Sequence, residues 1–455
     1  MKIFEEVELL KKWCKMRYRV YFRLYYYALT KEGLQLMYEL YPYFTNDGSV
    51  GLFSPEADDI YHSTYGALTE AYEKFIIPLD LKNFLEKNSE IKILDICFGI
   101  GYNSKSFINN FLDLLYNDSI GTNNNSLVRD SDYNDKIGTN NKKYKISIHA
   151  IDKDKILANL SPFFITNAKD IAKLNSKSEI LEQHEKIKRL SAQKAISKYK
   201  LREETNIILL KLLLNSIDDE TISILSDKKY SPYFNKNMLR LFQFLRNDRS
   251  IYTLLVATRA FLHNIYYKYL SKGYKNALNA LRLVDFDFKL SIDDARQVLL
   301  KDENKYNFIF LDAFTPTKCP CLWSVEFFEL LYEHLEDDGM IFTYSNSAQV
   351  RNAFLHAGFV VKKIFSKSQN KFTGTVAIKP SSTNECSVSH NSDIICELSE
   401  YDLGLMKTRA GIFYHDKNLT LDNEAIIEQH KNEVENSELI SSSKFIKQYK
   451  KDHKT

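Results

Sequence analysis

Tryptophan is scarce, with two residues in a chain of 455 that carries 29 Tyr and 29 Phe. Glycine (14) and proline (8) are also few, which excludes collagen-like and Gly/Pro-rich low-complexity architectures. The six cysteines, Cys14, Cys97, Cys319, Cys321, Cys386 and Cys396, are scattered and sit mostly inside apolar patterns. That is the use expected of reduced thiols and not of a disulfide framework. Cys319-Pro-Cys321 lacks the second pair or nearby His that would complete a zinc set. Neither sign of charge is in excess, since 62 Lys and Arg against 59 Asp and Glu leave +3. Charge alone therefore does not mark a nucleic-acid binder. No apolar run reaches the roughly 18 residues of a membrane span; the best, Ile251–Tyr267, is broken by Arg259, His263 and Asn264. The start of the chain lacks a signal-peptide apolar core with a small-residue cleavage site. The expectation is a soluble, cytoplasmic protein with no membrane contact.

Against these absences, 44% hydrophobic and 27% charged residues are globular values, and the length accommodates two or three domains. Among the few glycines, Gly99 and Gly101 form the one G-x-G, and no G-x-G-x-x-G exists. They lie in Ile91–Asn103, IKILDICFGIGYN. Ile91, Ile93, Leu94 and Ile96 read as a buried parallel strand. The glycines then let the backbone turn sharply and approach a ligand closely. From Tyr102 the pattern is helical, with Phe107, Ile108, Phe111 and Leu115 on one stripe. Strand, turn and helix start make a nucleotide cradle, a weak signal by itself.

The rest of the chain organises around that stretch. Residues 1–60 hold an aromatic and basic extension (Tyr21, Phe22, Tyr25, Tyr26 and Tyr27 among Arg17, Arg19 and Arg23) and an approach segment. The extension reads first as a packing element and second as a nucleic-acid-facing one. Residues 61–152 are the first half of the α/β domain, opening on Tyr61-His62-Ser63, with a helix expected from Thr69 to Pro78 carrying Glu70. Within it, 117–143 is an Asn-rich surface insertion with an imperfect duplication, NDSIGTNN and NDKIGTNN. Two copies are too few for a solenoid. A second strand, Tyr144–Ile151, ends in Asp152, where a doubly wound sheet binds ribose hydroxyls or simply exposes an acid. Residues 153–282 read as a helical insertion, whose basic run Lys186–Arg202 is first a solvated face. Strands and helices alternate again over 283–380, and Asp293 or Asp294 either caps a helix or reads an exocyclic amine. A Ser/Asn-rich linker opens 381–455, followed by an ordered Glu400–His415 and a charged tail, frayed or helical, from Asp416.

Asp95, Asp152, Asp294 and Asp312 all fall at or just past strand ends, where ligands of such sheets bind. A pyrophosphate wants helix-terminal N–H groups and few competing anions. A cationic sulfonium with a ribose and an adenine tolerates carboxylates, so the pattern favours S-adenosylmethionine over a dinucleotide. Asp312 is then placed to accept a hydrogen bond from an amine acceptor and aim its lone pair at the methyl carbon. Phe314, Tyr61 and Trp323 are candidate stacking rings for a nucleobase, with core packing the commoner fate of such rings.

The segments YHSTYGALTEAYEKFI, ILDICFGIGYN, YNFIFLDAFTPTKCPCLW, FTYSNSAQVRNAFLHAGF and TRAGIFYHD occur in that order. Together they resemble the methyltransferase half of the bifunctional tRNA-modifying enzyme MnmC, or its stand-alone form MnmD. The resemblance spans 43–112, 144–153 and 283–415. It implies a class I S-adenosylmethionine-dependent methyltransferase, an α/β fold with a Rossmann-like doubly wound sheet, here with a large helical insertion. It implies N-methylation of the primary amine of 5-aminomethyl(-2-thio)uridine at the tRNA wobble position. By the resemblance, Asp95, Gly99, Gly101 and Asn103 lie on the cofactor turn, Asp152 at ribose and Asp294 near adenine. Asp312, Phe314 and Pro316 match the catalytic D-x-F-x-P stretch. Tyr61, His62, Ser63 and Glu70 match a substrate-side motif, and Trp323 closes the P-x-x-W. Cys97 stands where the family usually has glycine, which questions the tightness of the turn.

No dinucleotide fingerprint follows residue 380, so an FAD-dependent oxidase half is not expected. The implied partners are tRNA bearing an aminomethylated wobble uridine, and a separate oxidase or the enzymes that install the aminomethyl group. Two other readings are an aminopropyltransferase-like polyamine enzyme and a non-catalytic RNA-binding module built on the helical insertion.

Overall fold

The computed structural model describes residues 38–120, 143–183, 185–196, 198–247, 272–381 and 393–453. The aromatic, basic stretch before residue 38, nearly all of the Asn-rich duplication, the apolar run 251–267 and most of the Ser/Asn-rich linker lie outside the described residues. By contacts the chain divides into Met1–Leu40 and Tyr41–Thr455. The fold that follows belongs to the second unit.

A small antiparallel sheet comes first: β1 (Pro42–Phe44), β2 (Val50–Ser54) and β3 (Asp59–Ile60), in that order. The main sheet holds β4 (Glu90–Ile96), β5 (Tyr144–Asp152), β6 (Val284–Ile292), β7 (Tyr306–Leu311), β8 (Leu335–Thr343), β9 (Val360–Ser366), β10 (Lys371–Ile378) and β11 (Ile395–Cys396). Their spatial order is β11-β9-β10-β8-β7-β4-β5-β6. The run from β6 to β8 is parallel, and β10 is antiparallel to both β8 and β9. In β4, Ile91, Ile93, Leu94 and Ile96 are all 0% exposed, so this strand is covered on both faces, as a central parallel strand requires.

The connections set the site. From β4 the chain moves outward to β5 and β6, then returns to β7 on the other side of β4. The crevice beyond the carboxyl ends of β4 and β7 is therefore the topological switch point. The register places the acids there: Ile96 pairs with both Ile151 and Leu311, so Asp152 and Asp312 leave their strands at one level.

The helices Glu203–Leu213 and Lys272–Leu283 pack on each other, and the first also packs on Tyr102–Ile120. Helical character in the described part of 153–282 thus agrees with the pattern. In the basic run, Lys186 pairs with Asp58, Lys198 with Glu73 at 3.5 Å and Arg202 with Asp113 at 2.5 Å. Those three cations each face an acid outside the helical insertion, as a solvated face with local ion pairs would.

One local expectation changes, and one open alternative is decided. The stretch read as one helix to Pro78 is Ala67–Ala71, a π turn Tyr72–Ile76, and Ile77–Leu79. Pro78 does not stop it, because it sits in the first turn of the new segment, where its missing N–H is no loss. Asp80, left-handed at φ +51, makes the stop. The tail past Asp416 forms helices Asn423–Asn436 and Ser442–Asp452, the first seated through Ile426 at 0% exposure.

Candidate active site

The turn after β4 is left-handed at three residues: Cys97 (φ +63), Gly99 (+52) and Gly101 (+71). Cys97 therefore adopts the backbone a glycine would, and the turn is tight despite the substitution. At Gly101 a Cβ would meet Phe98 Cζ at 2.4 Å and Ser161 Oγ at 2.7 Å, so no side chain fits. Gly99 donates its N–H to Asp152 Oδ2 at 2.6 Å, and Asp152 Oδ1 accepts from Asp154 N at 2.8 Å. Burial pushes the Asp152 carboxyl up to about 6 against those two donors.

Beneath the turn, Asp95 is 0% exposed and accepts from Ser104 Oγ at 2.5 Å. Burial, helped by the charges of Asp312 and Asp152 and opposed by Ser104, pushes its carboxyl up to about 8. Three buried polar atoms at this crevice carry no hydrogen bond within the described residues: Asp95 Oδ1, Asn103 Oδ1 and His62 Nε2. Orphaned acceptors of this kind are expensive unless a ligand satisfies them. A carboxyl and an amide oxygen beside a tight glycine turn fit the ammonium and hydroxyl groups of S-adenosylmethionine.

Asp294 behaves differently. It caps the helix Ala295–Leu299 through Arg296 N (3.0 Å) and grips the Arg296 guanidinium at Nε (3.1 Å) and Nη2 (2.9 Å). Lys153 Nζ joins it at 3.0 Å. Burial pushes this carboxyl up, but Arg296 and Lys153 outweigh burial and hold it at about 2. Of the two readings the cap is observed, and an adenine amine would compete with two cations for the same oxygens. Arg296 also bonds the wholly buried Asp416 at 2.5 Å, tying this edge to the C-terminal segment.

On the far side of the switch point, Asp312 is the first residue past β7 and accepts from Asn103 Nδ2 at 3.0 Å. Burial and the nearby Glu70 charge push its carboxyl up to about 7, with Asn103 and Lys74 pulling the other way. Phe314 meets Tyr61 edge-on, centroids 5.0 Å apart, and Pro316 is half-buried two residues on. Glu70 accepts from Ser63 N at 2.9 Å and pairs with Lys74. Burial pushes the Glu70 carboxyl up, but Lys74 and the Ser63 N–H hold it below its ordinary range. His62 is buried, edge-on to Tyr102 at 5.1 Å, and burial lowers it to about 4, so its ring is neutral near pH 7.

Trp323 corrects an expectation. At 0% exposure it cannot reach substrate. Its indole N–H donates to Phe314 O at 2.9 Å, while Tyr344 OH donates to Ala313 O at 2.9 Å. These two rings brace the loop that carries Asp312 from inside the core.

Sequence reasoning missed Lys74 and Tyr344. Lys74 had a signal, since it lies four residues past Glu70 on a helical stretch. Tyr344, the first residue past β8, sits in one of the recognised segments but had no individual cue. The thiols of Cys319 and Cys321 lie 3.7 Å apart. Among the described residues no group of three or more His, Cys, Asp and Glu side chains is arranged to hold a metal.

The family model described as S-adenosyl-L-methionine-dependent methyltransferase matches residues 258–380. An uncharacterized protein of Methanocaldococcus jannaschii is 30% identical over 172 residues, 37% of this chain and 46% of that protein. The tRNA 5-methylaminomethyl-2-thiouridine biosynthesis bifunctional protein MnmC of Burkholderia vietnamiensis is 36% identical over 75 residues, 16% of this chain and 12% of that protein. The match thus spans about half the length of the first relative and a far smaller share of the second. The crystal structure of MnmC2 from Aquifex aeolicus aligns with TM-score 0.47 and 18% identity, covering 88% of this chain and 86% of that one. Over residues 258–380 the chain thus matches the S-adenosyl-L-methionine-dependent methyltransferase family, and the strand order and glycine turn around that segment fit a class I fold.

Proposed function

We propose that the enzyme methylates the primary amine of 5-aminomethyl(-2-thio)uridine at the tRNA wobble position, giving the 5-methylaminomethyl nucleoside. The observation that carries this reading is Asp312: a half-buried carboxylate pushed up to about 7, placed across the switch point from the glycine turn. The MnmC name of relatives matched over only 9% to 12% of their length points the same way without defining the substrate.

S-adenosylmethionine, when bound, supplies an electrophilic methyl group. Asp95, Gly99, Gly101, Asn103, Asp152 and Asp294 would hold it at the turn and the β5–β6 edge. Asp312 accepts a hydrogen bond from the incoming amine. An alkyl ammonium must lose a proton before it is a nucleophile, and a carboxylate titrating near neutrality is suited to take one. Tyr61 and Phe314 form the aromatic wall of the acceptor side, which suits a splayed-out base. The rest is alignment of the lone pair behind the methyl–sulfur bond.

The implied partner is tRNA with an aminomethylated wobble uridine, in the cytoplasm, supplied by a separate FAD-dependent oxidase or by the enzymes that install the group. The test is incubation of the purified protein with labelled S-adenosylmethionine and tRNA carrying the aminomethyl nucleoside, followed by nucleoside mass spectrometry. Conversion to the methylaminomethyl nucleoside is expected. Cofactor binding by calorimetry with no label in that nucleoside would reject the substrate. A parallel arm with putrescine and the decarboxylated cofactor reads the polyamine alternative.

A further inference from the structure

Lys74 lies inside the segment YHSTYGALTEAYEKFI but has no role assigned to it there, and it sits beside Glu70 on the acceptor side. It projects from the π turn Tyr72–Ile76, an irregularity that re-aims side chains relative to a continuous α-helix and recurs at functional sites. Its side chain is 14% exposed and pairs with Glu70, itself 9% exposed. The other Glu70 oxygen takes the N–H of Ser63. The Lys74 ammonium also lies over the Tyr344 ring, 5.4 Å from its centroid, and that tyrosine holds the carbonyl of Ala313, next to Asp312. Lys74 is therefore joined to Asp312 by two short routes, one through charge and one through the loop brace.

The groups facing Asp312 come from four elements. Glu70 and Lys74 belong to the helical segment past Tyr61, Asp95 to β4, Cys97 to the turn, and Tyr344 to the end of β8, with Asn103 as a neutral donor. Among these described groups Lys74 is the sole cation.

The geometry points to Lys74 as a positioning residue: by neutralising Glu70 beneath the acceptor loop, it leaves Asp312 as the single carboxylate that the incoming amine meets. This deepens the reading of Asp312 as the amine's partner and rests on it. Two uncompensated anions would hold the acceptor as an ammonium, which has no free lone pair. One anion, titrating near neutrality, can orient the amine and accept its proton. An apolar residue of similar length would pack against Tyr344 equally well, so a structural role alone does not require a charge at this position.

The test follows the Asp312 carboxyl by carbon-13 NMR titration, its resonance assigned with Asp312→Asn, in wild type, Lys74→Met, Lys74→Arg and Glu70→Gln. Lys74→Met should raise the midpoint by about one pH unit, and Glu70→Gln should lower it by a similar amount. Lys74→Arg should restore it. The acid limb of kcat/KM for methyl transfer should move in the same directions, while cofactor affinity stays constant. Opposite signs for Lys74→Met and Glu70→Gln would not arise from general loosening of the helix. Midpoints that stay put, or that move the same way in both variants, overturn the inference; should Lys74→Met fail to fold, Glu70→Gln decides alone. The NMR shifts need no substrate. If they appear while no variant methylates aminomethylated tRNA, the inference stands and the proposed reaction falls; the reverse pattern has the reverse meaning.

Discussion

The proposed cofactor half and the proposed acceptor half of the crevice are built in different ways. On the cofactor side the single stretch Asp95–Ser104 does most of the organising: its two ends and three left-handed residues lie within one strand–turn–helix unit. On the acceptor side the parts come from three distant segments, Ser63–Lys74, Asp312–Trp323 and Tyr344, and they meet each other and Asn103 of the turn only after folding. The family match tells the opposite story, since it covers 258–380 and leaves the glycine turn outside. Local backbone chemistry announces a cradle in any one sequence, whereas a dispersed site is recognised by comparison.

The first way to sharpen this contrast is Asp312→Asn. It keeps shape and the Asn103 neighbourhood but removes the proton acceptor. Methyl transfer should fall by about 10²–10⁴-fold, with cofactor affinity by calorimetry nearly unchanged. Equal loss of both would mean that the two halves are not separable.

Gly101→Ala attacks the other half. The new Cβ would press on Phe98 and Ser161 in a left-handed backbone, and overpacking of this kind costs about 1–3 kcal/mol. Denaturant unfolding should show that loss, and cofactor affinity should drop with it. A fully stable variant would show that the turn is looser than its contacts imply.

How much was legible follows from the same contrast. The buried strand Ile91–Ile96 and the glycine turn were readable because apolar runs and glycine carry their backbone preference with them. The strand-end acids were readable because alternating elements imply a parallel sheet, though only the register shows Asp152 and Asp312 at one level. Trp323 was misread as a substrate contact, because an aromatic residue near a motif looks alike whether it faces solvent or core; only packing distinguishes them. For Asp294 the sequence left a helix cap and an adenine contact open; the cap is observed, and only the cap geometry brings Arg296, two residues away, onto the same carboxylate. Lys74 was signalled by its i,i+4 spacing from Glu70, but its meeting with Tyr344 depends on a π turn and a strand end coming together, which no local pattern announces.

The buried acids also predict a pH signature that separates the halves. In the folded protein Asp95 sits at about 8, against about 4 for an unfolded aspartate. A carboxyl raised by folding contributes stability that is complete below the unfolded value and is lost as pH climbs through the folded one. Between about pH 4 and pH 8 the ligand-free protein should therefore lose stability. Asp95→Asn should flatten that decline while keeping an oxygen for Ser104 Oγ. Asp152 at about 6 and Asp312 at about 7 act in the same direction, so part of the slope remains. Identical urea-midpoint profiles for the variant and wild type would show that Asp95 is already satisfied as an anion.

The smallest expected effect tests the brace under the acceptor loop. Trp323→Phe keeps an aromatic ring in the core but deletes the donor to Phe314 O, a bond worth about 1 kcal/mol. Because Trp323 touches the loop and not the ligand, KM for tRNA should rise a few-fold through the displaced Phe314. The cofactor constant and the pH of the acid limb should hold, since neither Asp312 nor its charged neighbours change. Tyr344→Phe removes the companion bond to Ala313 O and should act in the same direction. The double variant should exceed the sum of the two if the rings act as one support. Simple additivity would mean that each ring holds its own part of the loop, and that the acceptor half, dispersed in sequence, is dispersed in energy as well.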